Sequence, residues 1–314
     1  MYEFLTGLGQ PWNVIEKLVQ ELAWREYWQL VWLNKGDAIN SDLKNVQQPI
    51  SNHLIPKNVV DANTHIQVVD EAIKELYDTG YMHNHMRMYV ASICCNIAQS
   101  HWHQPSKWMY YHLLDGDIAS NQLSWQWVAG TFSNKKYYAN QENINKYFNS
   151  TQKNTFLDIS YEEFENLEIP KTLLDTILIA LHTKLPKVDK PNLFKNKKTL
   201  IYNYYNLDAE WHKHEDFQRV LLLEPSIFKA NPVSLKCIDF TLSLAKNIPD
   251  LKIFVGEFTQ LAEEVSIKDI IYKEHPLNTH YIGIEEEREW MTNVRGYFSS
   301  FHSFWKKCKK ELKN

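Results

Sequence analysis

The feature that most constrains this chain is a change of pattern around KLPKVDKPNLFKNKK, residues 184–198, which carries six lysines and two prolines. Such a stretch cannot continue a helix or a central strand, so it reads as a linker. Before it, apolar residues recur at helical spacing; after it come short apolar runs bounded by turn residues. Residues 12–34 read as a helix in which Trp24, Trp28 and Trp32 share a face. HIQVVDEAIKELYDT (65–79) places Ile66, Val69, Ile73, Leu76 and Tyr77 on one side, with Gly80 as C-cap. Residues 83–99 read as a largely buried helix. Residues 105–114 open a further helix with a proline in the first turn, and another runs from 117 to about 129. No segment of the first 150 residues alternates with period two, which makes this part all-α. NSTQKNTF (149–156) reads as loop, and 160–183 as helix broken by Pro170.

Beyond the linker, TLIYNYYNL (199–207), RVLLLEP (219–225) and LKIFVGEF (251–258) read as strands. A helix from Asn231–Pro232 to Ile248 lies between the second and third, as in a right-handed βαβ unit with parallel pairing. Residues 285–312 read as an amphipathic helix carrying Trp290, Val294, Phe298, Phe301, Trp305 and Leu312. The expected architecture is mainly α. It has an all-helical domain (1–183), the linker (184–198), a Rossmann-like βαβ segment (199–284) and a C-terminal amphipathic helix (285–314).

Composition narrows the function. The net charge is −4, and residues 1–150 hold 11 Lys and Arg against 14 Asp and Glu. That balance is not the footprint of a strong nonspecific nucleic-acid binder. The four cysteines, 94, 95, 237 and 308, include no CxxC pair, and MYEFLTGLGQ lacks the basic-then-apolar pattern of a signal peptide; a reducing cytoplasm is the expected setting. The HxH pairs 101/103 and 212/214 lack an evident third ligand, so no metal site is expected.

Three stretches carry more polar chemistry than packing needs. In YMHNHMRMYVASICC (81–95), Asn84, Arg87 and Met88 share a helical face, and Arg87 on so apolar a helix needs a partner. Taken alone, that is a structural ion pair. In LLDGDIASNQLSWQWVAG (113–130), an N-cap and a first-turn acid account for one Asp. They account poorly for Asp115, Asp117, Asn121, Trp125 and Trp127 together. In ELAWREYW (21–28), Glu21, Trp24, Arg25 and Trp28 share a face. Arg25 and Arg87 are the only arginines in residues 1–150, which points to anion recognition or a planar stacking partner.

In this order, ELAWREYW, VVDEAIKELYDTGYMHNHMRM (68–88) and LLDGDIASNQLSWQWVAG resemble the FAD-binding helical domain of the DNA photolyase/cryptochrome family. The resemblance implies that Arg25 lies near the FAD phosphates and Asn84 near the flavin–adenine region. It implies that Arg87 and Asp115 pair beside the isoalloxazine, that Asp117 meets the flavin's polar edge and that Asn121 sits near its N5. It places Glu21, Trp24, Asn84, Met88 and Trp127 against a pyrimidine dimer flipped out of UV-damaged DNA, with Trp125 and Trp102 as the first members of an electron-transfer chain. The implied activity is light-driven electron transfer from reduced FAD to the dimer.

The pattern also departs from the family's. The hydroxyl-rich phosphate cradle would precede the matched region, so FAD is expected to be weakly held or absent. No tryptophan lies between Trp32 and Trp102 for an outer electron donor. His85 stands where Arg is frequent, and YYANQENINKY (137–147) has no Arg. The α/β unit follows the helices instead of preceding them. These departures define the alternative, a cryptochrome-like sensor or interaction protein without repair activity. A third expectation is a helical scaffold that has lost flavin and keeps Arg87–Asp115 as a structural pair.

Overall fold

The computed structural model describes residues 2–312. Its helical half comprises α1 (Tyr2–Gly7), α2 (Trp12–Lys35), α3 (Lys57–Val60), α4 (Gln67–Thr79), α5 (Asn84–Ser92), α6 (His103–His112), α7 (Ile118–Ala129) and α8 (Gln141–Phe148). A two-residue ladder, β1 (Ile55–Pro56) with β2 (Thr176–Ile177), is its one strand pairing in named elements among the described residues. The second half holds β3 (Thr199–Tyr202), β4 (Gln218–Leu223), α9 (Pro225–Ala230), α10 (Leu235–Ala245), β5 (Lys252–Val255), α11 (Phe258–Glu264), β6 (Ile270–Lys273), β7 (Ile284–Glu286) and α12 (Phe301–Leu312). A helical FAD-binding-type unit thus precedes a small α/β unit. The five strands are all parallel, in the order β5-β4-β3-β6-β7.

The inner strand β4 is buried at all six positions, as a strand covered on both faces must be. Its alternation sorts the core. Leu221 and Leu223, with Leu200, Tyr202 and Ile271, join one cluster that also contains Val19, Tyr27 and Val31 of α2, Ile118 and Leu123 of α7, and Phe304 of α12. Val220 and Leu222 face a smaller cluster with Ile201, Phe254, Phe258 and Leu261. A third cluster, built on α4, α5, α6 and the other side of α7, closes the helical half. The sheet and α2 therefore share a single apolar core.

Several elements match the periodicity. α4 presents Val69, Ile73 and Leu76 inward and ends at Gly80, whose φ of +76° lets its N–H reach the Leu76 carbonyl. α5 runs on through a π turn, Ile93–Ile97, that buries Cys94 and Cys95. All four cysteines are buried free thiols. None of the described helices is long and apolar enough to cross a membrane.

Other elements differ. Residues 160–183 are not helical: they form two short 3₁₀ turns, Glu162–Asn166 and Lys171–Leu173, and then β2. Phe164 and Leu173 act as separate apolar anchors, while the Asp175 carbonyl accepts the Lys57 N–H and draws the chain into the ladder with β1. The helix expected from Asn231 begins later. Asn231 terminates α9, whose own first position is Pro225, and Ser234 caps α10 by accepting the Cys237 N–H. The first strand stops at Tyr202 because Asn203 Oδ1 accepts the N–H groups of Tyr205 and Asn206 and turns the chain. The expected 285–312 helix is helical only in α12. Residues 284–286 pair with β6, and Gly296 adopts φ +89°, outside helical geometry. β6 and β7 were not expected from pattern, being short and partly polar.

Gly80 leaves no room for a side chain. A Cβ there would lie 2.5 Å from Leu114 Cγ and 3.2 Å from the His112 carbonyl, on top of the cost of a positive φ. Gly80→Ala is expected to cost about 2–4 kcal/mol from conformation and overpacking combined, read as a lowered urea midpoint at unchanged m-value.

Candidate functional site

Arg87 and Asp115 are brought together by backbone constraints on both sides. His83 caps α5 through its Nδ1, which accepts the His85 N–H, and Met82 and Met86 anchor the start of the helix in the core. Opposite, the Leu114 N–H binds the Gly80 carbonyl, fixing the end of α6 against the end of α4. Gly116 completes the turn where a Cβ would meet the Leu113 carbonyl at 3.0 Å. The Arg87 guanidinium then donates from Nε to the Met82 carbonyl at 2.8 Å and from Nη2 to both Asp115 oxygens at 3.0 Å. The side chains are 24% and 56% exposed, so this pair sits at an open rim. Asn84 is exposed beside it and Met88 is half-buried.

The inner residues are differently placed. Asp117 is buried and caps α7: its Oδ1 accepts the Ser120 N–H at 2.7 Å, and its Oδ2 accepts from Gln29 Nε2 of α2. Gln29 Oε1 in turn accepts from Arg288 Nη1 at 2.7 Å. Asn121 gives its amide to the Ser106 carbonyl at 2.9 Å. Trp24 stacks on Phe301 of α12 with centroids 3.6 Å apart and planes 10° apart. Glu21 and Arg25 are exposed on the same helix. Trp127 is half-buried and tilted toward Tyr137, while Trp125 and Trp102 lie in the helical core, the latter donating its indole N–H to Asp42.

The C-terminal half thus covers the inner residues. Tyr205 meets Tyr110 hydroxyl to hydroxyl at 2.5 Å, and His275 stacks on Tyr205 and sets its edge against Trp32. Burial, then the positive charges of Arg288 and Arg25, push the His275 pKa down to about 3. Gln29 had a detectable signal, lying four residues from Arg25. Tyr205, His275, Arg288 and Phe301 had none, because they arrive from distant sequence. No group of three His, Cys, Asp or Glu among the described residues is placed to hold a metal ion.

Residues 18–162 match the family model described as the FAD binding domain of DNA photolyase. The helical segment is similar to this domain of the DNA photolyase/cryptochrome family. A deoxyribodipyrimidine photo-lyase of Streptomyces griseus is 34% identical over 117 residues, 37% of this chain and 26% of that protein. That of Escherichia coli is 35% identical over 130 residues, 40% and 26%. A cryptochrome DASH of Gloeobacter violaceus is 31% identical over 116 residues, 36% and 23%. The chain spans about a quarter of the length of these relatives.

For FAD, the donor types are suitable but the space is not. Asp117 and Asn121 spend their hydrogen bonds inside the chain, and the cavity bounded by Tyr110, Ile118, Tyr204 and Tyr205 measures about 20 Å³, room for one water. Sites for drug-sized ligands occupy about 300–1,000 Å³. A folded dinucleotide would enter this inner half only with Tyr205 and the segments beside it moved away from Tyr110.

Two outcomes follow from the geometry. Asp115→Asn is expected to cost no more than about 1 kcal/mol in urea unfolding, as for other exposed pairs; a larger loss would mark the pair as structural. His275 is held neutral while an unfolded His titrates near 6.5. Between these values the unfolded chain binds the extra proton, so this contribution is present above about pH 6.5 and lost as pH falls toward 3. Tm should fall less steeply from pH 7 to 5 in His275→Gln than in the parent.

Proposed function

We propose that the chain is a photolyase-like flavoprotein that acts on pyrimidine dimers in UV-damaged DNA, a lyase working in the cytoplasm. The observation that carries this reading is the Arg87–Asp115 contact at 3.0 Å, formed where the family resemblance requires it and flanked by Asn84 and Met88 on an accessible rim. FAD, when bound, supplies light-driven electron transfer. The chain's own contribution at the rim is a guanidinium whose direction is fixed twice, by the Met82 carbonyl and by Asp115. Such a group keeps its orientation as charge develops nearby. Glu21, Trp24, Asn84, Met88 and Trp127 are assigned to the lesion, Arg25, Asn84, Arg87, Asp115, Asp117 and Asn121 to the cofactor, and Trp125 and Trp102 to electron transfer.

A second reading, a cryptochrome-like sensor or interaction protein without repair, is favoured by the Trp24–Phe301 stack, which occupies one face of a residue assigned to the lesion. The two readings separate in a pair of measurements on the purified full chain: its visible spectrum after incubation with FAD, and light-dependent reversal of a dimer in single-stranded DNA. The first reading expects flavin uptake and reversal, with reversal reduced at least tenfold in Asn84→Ala and increased in Phe301→Ala. Flavin uptake with no reversal in parent or Phe301→Ala selects the sensor. No uptake in parent, Phe301→Ala or Tyr205→Ala removes both.

A further inference from the structure

The α/β unit has a crevice of its own. Numbered within the unit, its five parallel strands run in the order 3-2-1-4-5, so the chain reverses its direction of travel between β3 and β6. In open parallel sheets ligands bind outside the carboxyl ends of the strands at such a reversal. There, between the turn after β3 and the segments after β6 and β7, lies a cavity of about 250 Å³ lined by Asn203, Asn206, Lys273, Glu274, His275 and Arg288, among others.

The polar groups of this cavity are unbalanced in one direction. Among the described residues, seven buried side-chain nitrogen and oxygen atoms have no hydrogen-bond partner, and three of them belong to residues that line it: Nε and Nη2 of Arg288 and Nδ2 of Asn206. All three are donors. Arg288 is anchored from the other side, its Nη1 donating to Gln29 Oε1. Glu274 Oε1 forms an ion pair with Nε at 3.5 Å, too long for a hydrogen bond, and accepts the Trp290 indole N–H at 3.0 Å; Asp117 and Glu26 also act on this guanidinium from the helical side. Nε and Nη2 form the guanidinium edge that matches two oxygens of one carboxylate or phosphate. A buried donor left unmade costs about 1–3 kcal/mol, more when charged. Lys273 adds positive charge at the same wall, 3.6 Å from Glu286.

We propose that this crevice binds a small oxyanion, carboxylate or phosphate, on the Nε–Nη2 edge of Arg288 with Asn206 Nδ2 as the third donor. Glu274 and Asp208, also in the lining, offer acceptors for hydroxyl groups on the same ligand, so a hydroxylated metabolite carrying one such anion fits best. The site uses no residue assigned above to flavin or lesion, and it stands or falls independently of the flavin reading.

The test is a thermal-unfolding titration of the full chain with inorganic phosphate and, in parallel, with acetate, at ionic strength held constant with sodium chloride. A saturable rise in Tm with either anion is expected. Phosphate alone assigns the phosphate class, acetate alone the carboxylate class, and both together a bare oxyanion site. Arg288→Lys keeps the charge and removes the paired edge, and should abolish the response. Asn206→Asp changes the donor into a charge of the wrong sign at nearly constant volume, and should weaken it at least tenfold; it carries the test should Arg288→Lys fail to fold. A flat response to both anions, or an undiminished response in Asn206→Asp, overturns the proposal in favour of a water-filled crevice.

Discussion

Six consecutive residues of α2, Tyr27 to Trp32, are all buried. A helix turns through more than a full circle in six residues, so this segment is covered on every side, not along one stripe. α7 covers one side through Ile118 and Leu123. Sheet residues Leu200 and Leu223 and α12 residues Phe304 and Trp305 belong to the same cluster. No single neighbour can bury an aromatic-rich helix all round. The α/β unit and the C-terminal helix are held against the helical half because α2 has too much apolar surface for the helical half alone. Each buried large side chain contributes about 1.5–3 kcal/mol, which outweighs the individual polar contacts.

The same packing decides the character of the candidate site. The rim, with Asn84, Arg87 and Asp115, lies away from α2 and stays accessible. Asp117 lies beside α2 and is closed over. Gln29 is the one polar residue among the six buried in that run, and it satisfies both ends of its amide, donating to Asp117 and accepting from Arg288. A polar side chain in such a position is tolerated because both its amide nitrogen and its amide oxygen have a partner. It also ties the capping acid of α7 to a guanidinium from the far end of the chain. One buried polar link therefore couples the family's helical core to the unit that follows it, and any ligand engaging Asp117 must break or replace that link.

Arg288 belongs to two environments. One nitrogen faces the helices through Gln29; the other edge belongs to the crevice at the sheet's switch point, where Asn206 also has an unmet donor. Occupancy of the crevice and the state of Asp117 therefore act on one guanidinium. That is a short physical route by which the α/β unit can bias the helical half, without contact between their ligands.

The sequence by itself determined the elements that depend on neighbours in the chain. The 3.6-residue period of α2 and α4, Gly80 at a positive-φ cap, the apolar run Val220–Leu223 of β4 and the βαβ connection need only local geometry. Local pattern said only that Arg87 needs a partner; Asp115 as that partner came from the resemblance of three ordered motifs to a known family, and the structure forms the pair. Local pattern failed where a competing partner lies elsewhere. Residues 160–183 and 285–300 have helix-like spacing, yet β1 draws in the first and β6 takes the start of the second, and periodicity carries no information about a distant strand's free edge. Only the tertiary structure decided that Phe301 covers Trp24, that Arg288 reaches Gln29 and that the inner hollow is filled. The first two contacts join residues more than 250 positions apart, and what brings all of them together is the total apolar area α2 must hide, a quantity no short window of sequence contains.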